Sequence, residues 1–293
     1  MNKIYQYKPV RFYSIVFIAT WALWFTAAVL GHKIGDTGIS PVLMLAGLLA
    51  PSVTALCMVL TSKSPALKRE LKEKLIGAFR LRPGIIFFAI VIFFGVIVIS
   101  ILLSTLAGQS LNQFAVTDFS FSLAGIPSLL TITLAAFLEE MGWRGYAEDS
   151  IASYFNWWKE SLISGGLWSV WHLPLFFIPG SYQYNILQEN PWFMVNFFAG
   201  ILPLDIIFAW VYVRNERSIF ACMFFHFFVN FLQEKIAMTQ VTKCVETVVL
   251  LVVAAVVVAL NRDMFFETRH IGHLLPETDP AASGNVKDGE RVS

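Results

Sequence analysis

Glu139 and Glu140 stand side by side at the end of the apolar run Leu129–Leu138, and Arg144 follows one helical turn later. Two histidines share this kind of setting. His172 closes the run Gly165–Trp171, and His226 lies within the run that begins at Ile219, with Asn230 one turn further on. The chain has only 5 histidines, so two of them in apolar segments is a concentration of titratable groups where they are costly. A charged side chain near the middle of a spanning helix is disfavoured by roughly 2.5–3.5 kcal/mol on insertion scales. Carboxylates, imidazoles and a carboxamide together offer hydrolysis, with a general base acting on water and donors for a developing oxyanion. The pattern reads as an active site built inside a membrane.

Spacing divides the labour among these groups. At about 100° per residue, Glu140 and Arg144 lie about 40° apart on a helix and share a face, acid N-terminal to base. A buried pair at that spacing neutralises both charges, and the guanidinium can grip the carboxylate in a fork. Glu139 projects about 100° away from Glu140, so Arg144 need not satisfy it. One carboxylate is then structural and the other is free. A free carboxylate in a low-dielectric cavity binds a proton more readily, which suits a base acting on water. His172 is followed by Leu173 and Pro174, and a proline there predicts a kink or break beside the imidazole. Trp168, one turn before His172, is placed to wall a cavity, while Gly165 and Gly166 allow a neighbouring helix to approach. His226 and Asn230 share a face and can both donate to an oxyanion. A lone membrane His or Asn is more often an interhelical hydrogen-bonding residue than part of a site. Their recurrence at helical spacing in three segments favours a site. Asp205, two residues after Pro203, is a further intramembrane acid, expected to cap backbone freed by the proline or to pair with His226.

The elements that must position these groups are membrane helices. The 293 residues are 57% hydrophobic and 14% charged, with a mean hydropathy of +0.65. A water-soluble domain carries about 25% charged residues, so composition excludes that class. The 27 Phe and 9 Trp suit lipid-facing and interfacial surfaces. A net charge of +1 gives no reason to expect a nucleic-acid partner. Cys57, Cys222 and Cys244 lack metal-ligand or disulfide spacing and read as packing residues. Apolar stretches near 12–31, 40–60, 84–107, 122–141, 160–178, 192–213, 218–233 and 244–260 approach the length needed to cross a core of about 30 Å. The fourth, fifth and seventh are weakest, because they carry the polar residues named above. The expectation is an all-α, polytopic membrane protein of about eight transmembrane helices enclosing an intramembrane catalytic cavity. Residues 1–11 are expected to form a cytoplasmic N-terminus, 12–260 the eight-helix transmembrane domain that holds the hydrolytic groups within 120–235, and 261–293 a cytoplasmic, largely disordered tail.

Basic residues set the orientation. Lys63, Lys68, Arg69, Lys72, Lys74, Arg80 and Arg82 lie between the second and third spans, whereas 108–121 and 179–191 hold none. Arg214, Arg217, Arg262 and Arg269 fall on the same side as the first group, with Lys33, Lys235 and Lys243 as weak exceptions. Both termini are therefore expected in the cytoplasm. Leu67, Leu71, Leu75 and Phe79 recur every four residues through the basic stretch. It reads equally as an amphipathic helix on the headgroups or as a short solvated helix.

The motifs themselves resemble a known family. Glu139-Glu-Met-Gly-Trp-Arg144 resembles the E-E-x-x-x-R signature of the CPBP (CAAX protease and bacteriocin-processing, or Abi) intramembrane proteases. Trp168-Ser-Val-Trp-His172 is similar to their F-x-x-x-H motif, with Trp for Phe, and His226-Phe-Phe-Val-Asn230 to their H-x-x-x-N motif. The three occur in family order within about 120–235, inside apolar segments. The resemblance implies an eight-helix intramembrane endopeptidase related to the type II CAAX prenyl endopeptidase. It implies that Glu139 and His172 activate the hydrolytic water, that His226 and Asn230 form the oxyanion site, and that Arg144 supports Glu140. The expected partners are the lipid bilayer and a membrane-associated peptide or protein, lipidated or bacteriocin-like.

Metal is the open point. Glu139, His172 and His226 also make a carboxylate–imidazole set of the kind zinc takes. Zinc bound by Glu139 would leave no separate base unless Glu140 served, so the reading favours no cofactor, with zinc as the alternative. A proton-coupled transporter would use similar buried groups, but no repeated half is visible. A weakly active immunity or scaffold member of the same family is the other alternative.

Overall fold

The computed structural model describes residues 4–35, 38–76, 81–119, 126–267 and 274–276. Its framework is helical: α1 (Pro9–Ile34), α2 (Ile39–Thr61), α3 (Pro65–Ile76), α4 (Pro83–Ser104), α5 (Ser128–Gly142), α6 (Glu148–Ala152), α7 (Trp157–Trp171), α8 (Tyr182–Glu189), α9 (Pro191–Arg214), α10 (Ile219–Lys235) and α11 (Gln240–Leu260). Two three-residue strands, β1 (Ile4–Gln6) and β2 (Leu274–Pro276), pair antiparallel. Residue 261 was expected to open an irregular tail, but a π-helical turn at Asp263–Glu267 and the strand β2 lie beyond it. The tail after Pro276 lies outside the described residues, as does Phe79.

Local sequence explains the boundaries. Prolines open α1, α4 and α9, where the missing amide would have no helical partner. Side chains of Asn156, Ser181, Ser218 and Thr239 accept backbone N–H groups in the first turns of α7, α8, α10 and α11. The helix before Pro174 ends at Trp171, and a 3-10 turn, Leu173–Phe177, follows His172. The break expected beside the imidazole is present.

Five helices are long and apolar enough to cross a membrane, α1, α2, α4, α9 and α11; a sixth arises if Trp157–Phe177 and Tyr182–Glu189, bent by 79°, count as one span. The expected count of about eight is thus not reached on length and composition. The shortfall falls on the segments that carry polar groups. α5 carries two carboxylates and passes into a charged turn, and α10 has 17 residues including His226, Asn230 and Glu234. These two pack against each other, and α5 also packs against α2. Around them α1 packs on α2, α7 on α9, α9 on α11 and α11 on α4.

The α2–α5 contact is close. A Cβ at Gly142 would fall 2.3 Å from Pro51 Cβ and 2.6 Å from the Pro51 carbonyl carbon, so only glycine fits without moving the α2 backbone. Ser52 Oγ donates to the Leu138 carbonyl beside it. At Gly165 a Cβ would stand 3.1 Å from Asp205 Cβ, the close helix approach expected from that glycine.

Helix α3 does not lie free. Leu67, Glu70, Leu71 and Lys74 are buried, while Lys68, Arg69, Lys72 and Glu73 are exposed. Arg217 pairs with Glu70, and Arg82 with Glu216 at 2.9 Å, so the basic segments meet at one end of the bundle.

Candidate active site

The helix that carries the glutamates continues past Gly142 into a π turn, Trp143–Ala147, and then into α6. Glu148 N–H donates to the Trp143 carbonyl, five residues back, the spacing that defines the turn. Arg144 stands in this turn and is 1% exposed. Its Nη1 donates to Glu140 Oε1 at 3.3 Å, and its Nε lies 3.2 Å from Glu140 Oε2 and 3.1 Å from Glu148 Oε2. Its Nη2 donates to Asp205 Oδ1 at 2.7 Å, and the guanidinium lies 4.6 Å from the centroid of the Phe208 ring. The expected pair of Glu140 and Arg144 is therefore part of a larger buried cluster, three carboxylates around one guanidinium.

Glu140 has a second duty. His226 Nδ1–H donates to Glu140 Oε1 at 2.8 Å, since a carboxylate oxygen can only accept from it when ionised. Glu139 projects away, as its position on the helix requires. Its Oε2 accepts the indole N–H of Trp168 at 2.9 Å and that of Trp143 at 3.4 Å. Among the described residues Oε1 takes no hydrogen bond.

His172 Nδ1–H donates to the Trp168 carbonyl at 2.8 Å, one turn back, leaving the lone pair on Nε2. The Trp168 ring joins the groups: its centroid is 6.1 Å from that of His172 and 5.6 Å from that of His226. Phe197 and Phe208 flank the two imidazoles, at 5.5 Å from His172 and 5.4 Å from His226. Asn230 is half-buried, one turn beyond His226, and among the described residues its side chain has no hydrogen-bond partner.

Trp168 thus brings Glu139, His172 and His226 together, with Asn230 one turn beyond His226 on α10. Asp205 departs from both expectations: it accepts from Arg144, and the position beside His226 is taken by Glu140. The reason is the packing of α9 on α7 at Gly165, which carries Asp205 towards the turn holding Arg144. Sequence reading also passed over Glu148 and Trp143, although each lies four residues from its partner, a legible helical spacing.

The zinc alternative can be tested on the donor set. Among the described residues no three His, Cys, Asp or Glu side chains are grouped to hold a metal ion. Nδ1 of each imidazole is hydrogen-bonded, one to a backbone carbonyl and one to Glu140, which by itself would leave Nε2 for a metal; it is the grouping that fails, with Glu139 turned towards two indoles. The arrangement does not fit a zinc centre. It leaves Glu139 Oε1 and His172 Nε2 without hydrogen-bond partners among the described residues, and it sets His226 and Asn230 one turn apart on α10.

Residues 121–232 match the family described as type II CAAX prenyl endopeptidase, Rce1-like. The protein named CAAX prenyl protease 2 of Methanococcus maripaludis is 40% identical over 268 residues, covering 91% of this chain and 99% of that protein.

Proposed function

The chain belongs to the Rce1-like family of type II CAAX prenyl endopeptidases and is a multi-pass membrane protease, and from that premise we propose that it cleaves prenylated CAAX-type peptides by a glutamate-activated water without a metal ion. Glu139 Oε1 accepts a proton from the water, with His172 Nε2 as a second acceptor, and the resulting hydroxide attacks the scissile carbonyl. Asn230 and His226 donate to the oxyanion. Because His226 Nδ1–H is committed to Glu140, its Nε2 donates in the imidazolium form, paired with the Glu140 carboxylate. The proton taken by Glu139 then passes to the leaving amine as the tetrahedral intermediate collapses.

The observation that carries this reading is the asymmetry of the two carboxylates. Glu140 is spent on Arg144 and His226, while Glu139 is held on one oxygen by two indoles and open on the other. The prenyl class of substrate rests on the name of the relative that matches nearly the whole chain.

Purified protein should cleave a fluorogenic peptide ending in a farnesylated CAAX sequence. Asn230→Ala should slow that cleavage by roughly 10²–10³, the usual loss of one oxyanion donor, and leave metal content unchanged. Active protein should contain far less than one zinc per chain, and chelation should leave the rate intact. Stoichiometric zinc lost together with activity would overturn the metal-free mechanism.

Both termini are read as cytoplasmic. The basic loops, β1 and the residues after α11 are tied together at one end, where Arg214 reaches Asn261 and Asn156 reaches the Phe266 carbonyl. A C-terminal reporter active only outside the cytoplasm should stay silent; an active fusion would reverse the orientation.

A further inference from the structure

Among the basic residues of α3, Lys74 is the buried one, 3% exposed, while Lys68, Arg69 and Lys72 face outward. Burying an ammonium group is costly unless it is paired and hydrogen-bonded. Lys74 Nζ is both. It donates to the carbonyls of Arg144 at 3.1 Å and Gly145 at 3.3 Å, and it forms an ion pair with Asp149. All three partners lie in or beside the π turn that follows the two glutamates.

That turn needs outside donors. When a helix passes from four-residue to five-residue hydrogen-bond spacing and back, one carbonyl is left without an amide from its own helix. The Arg144 carbonyl takes side-chain donors from two other elements, Lys74 on α3 and Tyr212 on α9. The Tyr212 hydroxyl lies 3.0 Å from that carbonyl and 3.1 Å from Asp149 Oδ1, and its single proton can serve only one of them at a time. Lys74, with three protons, serves both carbonyls and the carboxylate together. Helix α3 is fastened at its other buried charged position as well. Glu70 accepts the Tyr7 hydroxyl at 2.9 Å and pairs with Arg217, whose Nη1 also reaches Asp149 Oδ2 at 2.9 Å.

The turn held in this way sets where Trp143 and Arg144 project. Trp143 reaches Glu139, and Arg144 reaches Glu140. We propose that Lys74 is a positioning residue for hydrolysis: it clamps the carbonyls of the π turn after Glu139 and Glu140, so that both carboxylates keep their orienting partners. The proposal rests on the reading of those glutamates as the reaction site.

The full-length enzyme in detergent tests it, with the farnesylated fluorogenic peptide as probe. Lys74→Met keeps the apolar stem and removes the donors; Asp149 retains Arg217 and Tyr212, so the variant leaves no carboxylate wholly unpaired. kcat should fall by ~10- to 100-fold, the scale of a displacement of about 1 Å at a reacting group, with KM within about twofold of wild type. Lys74→Arg, which keeps a charged donor, should recover most of the rate. Amide hydrogen exchange is the readout independent of cleavage: peptides spanning 143–149 should exchange faster in Lys74→Met, while those from α9 and α11 should not. Lys74→Gln carries the same two readouts if Lys74→Met does not accumulate. Unchanged exchange over 143–149 overturns the clamp whatever the peptide assay gives. Faster exchange throughout the protein, or local faster exchange with wild-type kcat, overturns the positioning role. A wild-type enzyme that fails to cleave, or a Glu139→Ala variant that still does, sinks the catalytic reading instead, and the exchange measurement then decides the clamp by itself.

Discussion

Replacing Glu139 with alanine should abolish cleavage while leaving a folded protein. Removing a general base costs ~10²–10⁴ in rate, and here the same group returns the proton to the leaving amine. The fold should tolerate the loss because Glu139 makes no ion pair among the described residues; two indole N–H groups donate to one of its oxygens. Glu139→Gln is the cleaner companion. The amide oxygen can still accept both indoles, yet it cannot take a proton from water, so the rate should fall as far as in Glu139→Ala with a thermal midpoint close to wild type. Cleavage by either variant at more than a tenth of the wild-type rate, measured on the farnesylated peptide, would remove Glu139 from the proposed role.

Replacing Arg144 with alanine should act on stability. Its guanidinium sits among Glu140, Glu148 and Asp205, each at most 1% exposed, and its loss leaves three buried carboxylates without the cation they share. Breaking a buried pair by removing one partner costs about 3–5 kcal/mol. That is large against the 5–15 kcal/mol typical of a folded domain. The expected result is a much lower yield of folded protein and a depressed unfolding midpoint in detergent. Arg144→Lys should rescue only part, since an ammonium cannot present the planar fork that reaches Glu140 and Asp205 together. A fully stable Arg144→Ala protein would show that the cluster is held by something else. Glu140→Gln should fall between the two classes, because Glu140 also accepts His226 Nδ1–H and so touches both the cluster and the proposed oxyanion donor.

The contrast between neighbouring glutamates was legible in the sequence, because helical periodicity is a local property. Residues four apart meet, and residues one apart diverge, whatever the helix packs against. The Glu140–Arg144 pair, the divergence of Glu139, the capping residues and the break before Pro174 all follow from that rule or from proline and cap chemistry. The same rule places Lys74 on the face of α3 that carries Leu67 and Leu71. Sequence marks that placement as a cost and does not say what offsets it.

What offsets it lies on another element, and there periodicity has no purchase. Asp205 joins Arg144, His226 joins Glu140, Trp168 donates to Glu139 and Lys74 reaches the π turn across 61, 86, 29 and 70 residues of chain respectively. Which helix faces which is decided by the close approaches at Gly142 and Gly165 and by the burial of the polar helices α5 and α10 against each other. The span count went the same way. Composition marks eight apolar stretches as candidate spans and the three that carry polar groups as the weakest, but a helix whose charges are satisfied by neighbouring helices need not be apolar throughout, since its partners rather than lipid surround those charges. The amino-acid order by itself determined the chemical inventory, its spacing along each helix and the membrane setting; the tertiary structure alone decided which groups are spent on one another and which are left to act, because a hydrogen bond between helices depends on their packing and not on their own periodicity.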